Sequence, residues 1–382
     1  MSFTSSTTAW PSNEHLSNAV GMRVTEIGFP GAIMLVSAPD RETWMASFGV
    51  GDRAAGTPMT VAMHTRVGSI TKMFTATIVL QLVDEGKLSL DDILSSLVPD
   101  AADLPHAERI TLRQLLNMRS GIFNYTEDEL TFSTLVVDPN RFWTHPELIA
   151  IARTQDAYFE PGSEFHYSNT NYILLEMIVE RTTGRPFGEE LQERILTPLG
   201  LAETVLPTSP AMPEPFAHGY GRDPALPRPT KADTAKAQDG EKEAVSPPPM
   251  TDPSEIIDTT VIPPSIAAGA GALVSTVADL DRWLHALIDG VSLSAALQRE
   301  RMMLRPTGED GFLYGLGVMT HGRLIGHAGG IPGYTSFAGH DPASRANIVV
   351  LANGEGNGTP EGTVIALVDT IVALLPNETT ST

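Results

Sequence analysis

Segments that read as β-strands lie towards the two ends of this chain, and most of what separates them reads as helix. Residues 31–38 (GAIMLVSA) and 43–50 (TWMASFGV) are apolar runs joined by the polar turn Pro39-Asp40-Arg41-Glu42. Residues 322–326, 333–339 and 347–352 predict three further short strands. Apolar spacing predicts helices over 11–25, 69–83, 170–182, 279–288 and 362–375, and a further one after Thr111. Glycines punctuate them. Gly86 fits a left-handed cap on the second, Gly184 follows the Thr170 helix, and Gly121 closes the helix that Thr111 caps. The simplest architecture is a mixed domain assembled from both termini (residues 1–60 and 265–382), with a mostly helical domain (61–264) inserted between its strands. A site is expected between the two, where pockets are common. Residues 222–264 are dense in Pro, Lys, Asp, Glu and Ala and read as a long solvated excursion, part of it mobile.

Composition narrows the function. A formal net charge of -21 argues against nucleic acid and anionic membrane surfaces as partners. The chain has no cysteine, which excludes disulfides, thiol catalysis and cysteine-ligated metals. The histidines show neither H-x-x-x-H nor H-E-x-x-H spacing, so neither a metal nor another cofactor is expected. No apolar run is long enough to span a bilayer. Met1 to Val20 lacks a basic start and an apolar core, so no signal peptide is visible; a cytoplasmic protein and a mature secreted form both stay open.

The chemistry begins with lysine. The chain has only five, and three of them (Lys231, Lys236, Lys242) stand in the polar excursion. Lys72 stands in an apolar stretch, Val67-Gly68-Ser69-Ile70-Thr71-Lys72-Met73-Phe74, where an ammonium is costly unless something uses it. Ser69 precedes it by three residues, so on a helix hydroxyl and amine share a face. A serine needs a base to attack a carbonyl, and a lysine whose pKa is lowered by burial can be that base. A serine at a helix start also has free N–H groups beside it that can hold an oxyanion. S-x-x-K by itself is weak, because a capping serine followed by a surface lysine gives the same letters.

Two later motifs add to it. Tyr167-Ser168-Asn169 follows the Pro161-Gly162 turn and precedes a helix. A tyrosine near a cationic lysine can relay a proton, and Asn169 can bond an amide carbonyl or orient the lysine. The plain alternative is a turn asparagine under a packed tyrosine. His327-Ala328-Gly329-Gly330 follows the strand RLIG. Its small residues let a substrate backbone approach, and a free N–H, that of Gly330, can complete an oxyanion hole opposite Ser69. His327 is expected to offer polarity, or positive charge at lower pH, to a substrate carboxylate or leaving group. The plain alternative here is a tight turn with a satisfied histidine.

S-x-x-K, Y-x-N and H-x-G in this order resemble the serine β-lactamase-like superfamily, in the branch of class C β-lactamases, D-alanyl-D-alanine carboxypeptidases, D-aminopeptidases and lactamase-like esterases. The flanking words Thr65-Arg66-Val67-Gly68, Ile110-Thr111-Leu112-Arg113-Gln114-Leu115-Leu116 and Ser120-Gly121 agree with it. The resemblance covers residues 20 to 375. It implies an α+β fold of the β-lactamase/transpeptidase type: an antiparallel sheet flanked by N- and C-terminal helices, with an inserted helical domain. It implies Ser69 as nucleophile, Lys72 and Tyr167 as proton carriers, and Asn169 as ligand of the substrate amide. His327 and Gly329 fill the third motif, with Gly330 N–H facing Ser69 N–H. A histidine where a lysine would carry a fixed charge departs from penicillin-type recognition. The implied function is a serine acyl hydrolase, carboxypeptidase- or esterase-like, taking a small ester, amide or D-amino-acid peptide. An acyltransferase using the same acyl-enzyme, or a non-catalytic β-lactam sensor, are the alternatives. Which of Lys72 and Tyr167 is the base stays open.

Overall fold

The computed structural model describes residues 10–128, 131, 138, 140–222, 256–309, 311–355 and 360–376. Its centre is a nine-stranded antiparallel sheet. The long strands are β1 (Gly31–Ser37), β2 (Trp44–Asp52), β3 (Leu324–Ile331), β4 (Tyr334–Asp341) and β5 (Ala346–Ala352). They stand in the order β2-β1-β5-β4-β3, and shorter strands extend both edges. The first strand of the chain therefore pairs with the last, Ala32 opposite Ala352 and Ser37 opposite Asn347.

β1 and β5 are buried along their whole length, which explains why their sequences are continuous apolar runs instead of alternating ones. Successive side chains still point to opposite faces. Ile33, Leu35, Val349 and Leu351 enter a large core shared with the helical half. Ala32, Met34, Val36, Ile348 and Val350 enter a second core beneath the terminal helices. Those are α1 (Asn13–Ile27), capped by Ser12 and closed by Gly28 at φ +79°, and a C-terminal helix over Pro360–Leu374. Leu16, Val20, Val24 and Ile27 recur every three or four residues and form the buried stripe of α1.

On the other face the large core is built around α2 (Thr71–Asp84), α3 (Asn169–Thr183) and α4 (Val277–Asp289). α2 is buried nearly all round, from Thr71 to Leu80, so its sequence has hardly any polar face. No helix among the described residues is long and apolar enough to cross a membrane.

Three expectations change. The helix capped by Thr111 is only Leu112–Leu116; Thr111 and Gln114 form a reciprocal capping box, but the helix stops at Asn117, well before Gly121. Gly121 takes φ +77° to let the backbone pass Phe159, whose carbonyl oxygen would lie 2.3 Å from a Cβ there. The strand expected at 322–326 is Leu324–Ile331 and so includes His327-Ala328-Gly329-Gly330, with the turn after it at Pro332-Gly333. The excursion at 222–264 has a structured root, where Tyr220–Arg222 pairs with Ile256–Asp258. Its last residues are packed, with Ile262 and Pro264 buried, because apolar side chains there join the large core. Residues 223–255, which hold most of the stretch expected to be solvated and mobile, lie outside the described residues.

Candidate active site

Ser69 sits in a single 3-10 turn, Gly68–Ile70, that leads directly into α2. The turn can form because Gly68 adopts φ +52°. A Cβ at Gly68 would stand 2.8 Å from Gly330 N, and one at Gly329 only 2.1 Å from Val67 O. The serine turn and β3 thus touch backbone to backbone, through glycines that only glycine can replace without displacement. Ser336 Oγ on β4 donates to Val67 O at 2.8 Å and ties the same contact down.

The register of β3 directs Gly330. Ile331 faces Tyr334 across the two-residue turn, Gly329 faces Ser336, and Gly330 faces Thr335 between them. Hydrogen-bonded and non-bonded pairs alternate along an antiparallel ladder, and the pair closing a two-residue turn is a bonded one. Gly330 therefore occupies a non-bonded position, with its N–H turned away from β4 towards the Ser69 turn.

One helical turn beyond Ser69, Lys72 is fully buried. Its Nζ lies 2.9 Å from Ser69 Oγ and donates to Asn169 Oδ1 and Ala270 O, both at 2.7 Å. The Tyr167 ring centroid is 4.8 Å from Nζ and that of Tyr172 is 5.4 Å away. Asn169 opens α3, and its amide is oriented from behind: Nδ2 donates to Thr126 Oγ1 at 3.1 Å and to Asn124 Oδ1 at 3.4 Å. Asn124 Oδ1 also accepts the Asn169 backbone N–H at 3.0 Å. Ser69, Tyr167, Asn169 and Gly330 are half-buried, whereas Lys72, His327 and Gly329 are buried, so the hydroxyl is open on one side and the amine is sealed behind it.

His327 lies at the floor of this arrangement, 1% exposed. Its ring is 6.2 Å from that of Tyr167 and meets Tyr314 edge to face at 5.8 Å. Both ring nitrogens are occupied. Nδ1 is 2.5 Å from Ala328 O, which can only accept, so Nδ1 carries the proton; Nε2 then accepts from the Tyr314 hydroxyl at 3.0 Å. Burial, reinforced by the Lys72 charge, pushes the imidazole pKa down to about 3. Burial likewise keeps the Tyr314 phenol protonated by pushing its pKa well above the ordinary value. Of the polarity or low-pH positive charge expected of His327 towards a substrate, the structure shows a side chain that is neutral and bonded inward, because burial disfavours its charged form.

The structure therefore brings Ser69, Lys72, Tyr167, Asn169, Gly329 and Gly330 together, with His327 beneath. The sequence reading missed Asn124, Thr126, Tyr172, Ala270 and Tyr314. Tyr314 stands between glycines in Gly311-Phe312-Leu313-Tyr314-Gly315, with no neighbouring polar group to single it out. Ala270 contributes only a backbone carbonyl, for which no side-chain signal exists. Asn124-Tyr125-Thr126 does carry a loop-type polar signal that could have been weighed.

Known proteins share this fold over most of the chain. A D-stereospecific amidohydrolase from Streptomyces sp. superimposes with a TM-score of 0.76 and 30% identity, covering 93% of this chain and 98% of the other. The D-amino acid amidase from Ochrobactrum anthropi SV3, solved with L-phenylalanine, gives a TM-score of 0.79 at 29% identity, over 95% and 97% of the two chains. The unguisins hydrolase ungD of Aspergillus violaceofuscus is 27% identical over 88% of this chain, which spans 60% of that protein's length. Residues 16–370 match the model of the Beta-lactamase family, and the chain belongs to that family.

Proposed function

We propose that this protein is a serine acyl hydrolase that cleaves amides or esters of D-amino acids through an acyl-enzyme on Ser69. The observation that carries this reading is the bonding of Lys72. Asn169 Oδ1 and Ala270 O can only accept, so in the uncharged amine they take two N–H groups. Ser69 Oγ lies 2.9 Å from the same nitrogen, within reach of its lone pair when the amine is uncharged. That is the geometry of a base taking a proton from a nucleophile.

In this mechanism Ser69 Oγ attacks the substrate carbonyl as Lys72 Nζ takes its proton. The Ser69 and Gly330 N–H groups hold the tetrahedral oxyanion. Tyr167, whose ring lies beside Nζ, passes the proton to the leaving amine or alcohol, and the C–N or C–O bond breaks. Water, activated by the same pair, attacks the ester and frees Ser69.

The substrate class draws on two supports. Two of the similar solved structures are named a D-stereospecific amidohydrolase and a D-amino acid amidase. The neutral, inward-facing His327 offers no charge to a carboxylate, which favours amides and esters over a penicillin. Intact-protein mass spectrometry after exposure to a D-amino acid amide, an activated short-chain ester and a penicillin tests the reading. A covalent adduct on Ser69, lost in Ser69→Ala, is expected. Turnover of the activated ester by folded Ser69→Ala would overturn it.

A further inference from the structure

The carbonyl of Ala270 accepts from Lys72, yet it belongs to a short helix, Ala268–Gly271, of unpromising sequence (Ala-Gly-Ala-Gly). Its four residues are buried, but none has a side chain larger than a methyl group with which to lock a position. It also carries strain: Ala268 sits at φ +40°, where a residue with a Cβ is rarely found. Something outside it keeps it in place.

The holding groups converge on the residue between. Gly269 N–H donates to Glu176 Oε2 at 2.5 Å, and Gly269 O accepts from Thr75 Oγ1 at 2.7 Å. Both polar groups of one peptide residue are therefore gripped, one from α3 and one from α2. The fit is tight, since a Cβ at Gly269 would come 2.9 Å from Glu176 Oε2 and 3.3 Å from Thr75 Oγ1. Upstream, the Tyr125 hydroxyl donates to Ile266 O.

Glu176 is a buried carboxylate and needs compensation. His145 provides it, with Nε2 at 3.3 Å from Glu176 Oε1 and Nδ1 at 4.0 Å from Glu180. Glu176 lies on the same helix as Asn169, two turns further on, so α3 supplies one acceptor of Lys72 directly and grips the segment bearing the other. A buried ion pair contributes little net stability compared with apolar packing. Its retention here is explained by what it holds.

We propose that Glu176 is a positioning residue for the acylation step, fixing the Ala270 carbonyl against Lys72 by gripping Gly269 and so directing the amine at Ser69. The inference rests on the acyl-enzyme reading above.

The test is burst titration with an activated ester, which counts reactive Ser69 sites and gives an acylation rate constant per site. Glu176→Gln keeps the shape but loses the charge-assisted bond; Gly269→Ala forces the peptide away from both grips. Each is expected to lower the per-site acylation rate about tenfold or more while leaving the apparent substrate affinity within about twofold, because misplacement of the base acts on the transition state. Glu176→Asp is expected to recover part of the rate. A purely structural role lowers the number of sites or the melting temperature and leaves the rate per site unchanged. A per-site rate within twofold of the parent in both variants overturns the proposal; should Glu176→Gln fail to fold, Gly269→Ala decides alone. Absence of any burst in the parent protein sinks the acyl-enzyme reading instead, and this inference with it.

Discussion

Tyr314 and His327 form a closed pair beneath the Ser69 site: the phenol donates to Nε2 across 3.0 Å, and each residue is 1% exposed. The pair determines that the third motif works through backbone and shape. Its Gly329-Gly330 peptides approach Ser69, and its imidazole is locked away. Replacing Tyr314 by Phe leaves Nε2 as a buried acceptor without a donor. The expected cost is about 1–3 kcal/mol, read as a lower melting temperature in a chemical or thermal unfolding series.

The same histidine gives a pH signature for stability. Its folded-state pKa is about 3, below the ordinary 6.5, so between these values the unfolded chain binds a proton that the folded one refuses. Stability from this group is fully present above pH 6.5 and is lost as pH falls towards 3. The slope approaches about 1.4 kcal/mol per pH unit within that window. Urea unfolding at pH 7, 5.5 and 4.5 is expected to show a falling free energy, with a shallower fall in His327→Gln.

Lys72→Ala removes the amine while sparing the serine and the N–H groups around it. Acylation by an activated ester at neutral pH is expected to slow by about 10²–10⁴. A near-normal rate in a stopped-flow burst would take lysine out of the mechanism.

Gly329→Ala tests the backbone approach. A Cβ there collides with Val67 O at 2.1 Å and presses on Ser69 N at 3.1 Å, so β3 and the serine turn must separate. Loss of a well-placed oxyanion donor costs about 10²–10³ in rate. The expected outcome is a fall of that order in the acylation rate constant with Ser69 still able to react.

Arg301 gives a contrasting prediction. It is fully buried with Nη2 on Thr77 Oγ1 at 2.6 Å, has no carboxylate partner among the described residues, and burial pushes its pKa down to about 9. An isolated buried cation is costly, and apolar replacements of similar volume are commonly neutral or stabilising. Arg301→Met is expected to leave the melting temperature unchanged or raise it; a large drop would show that the charge has a role near Tyr172, which it faces.

Much of this molecule was legible before any coordinates. The runs at 31–38 and 347–352 are apolar throughout because both faces of those strands are covered, and a run of that kind is visible in one dimension. Ser69 and Lys72 are three residues apart on one turn, so their meeting is a local property of helical geometry. Contacts across long sequence distances were not legible. That Ala270 O reaches Lys72, that Tyr314 seals His327, and that Gly330 turns its N–H to Ser69 depend on how β3, α2 and α3 pack together. Each of these contacts uses either a backbone atom, which every residue type shares, or a hydroxyl among apolar neighbours. Local pattern thus determined the elements and the nucleophile's turn, while the charge state of the third motif and the aim of the lysine came from burial and three-dimensional proximity, which act between residues that the chain itself keeps far apart.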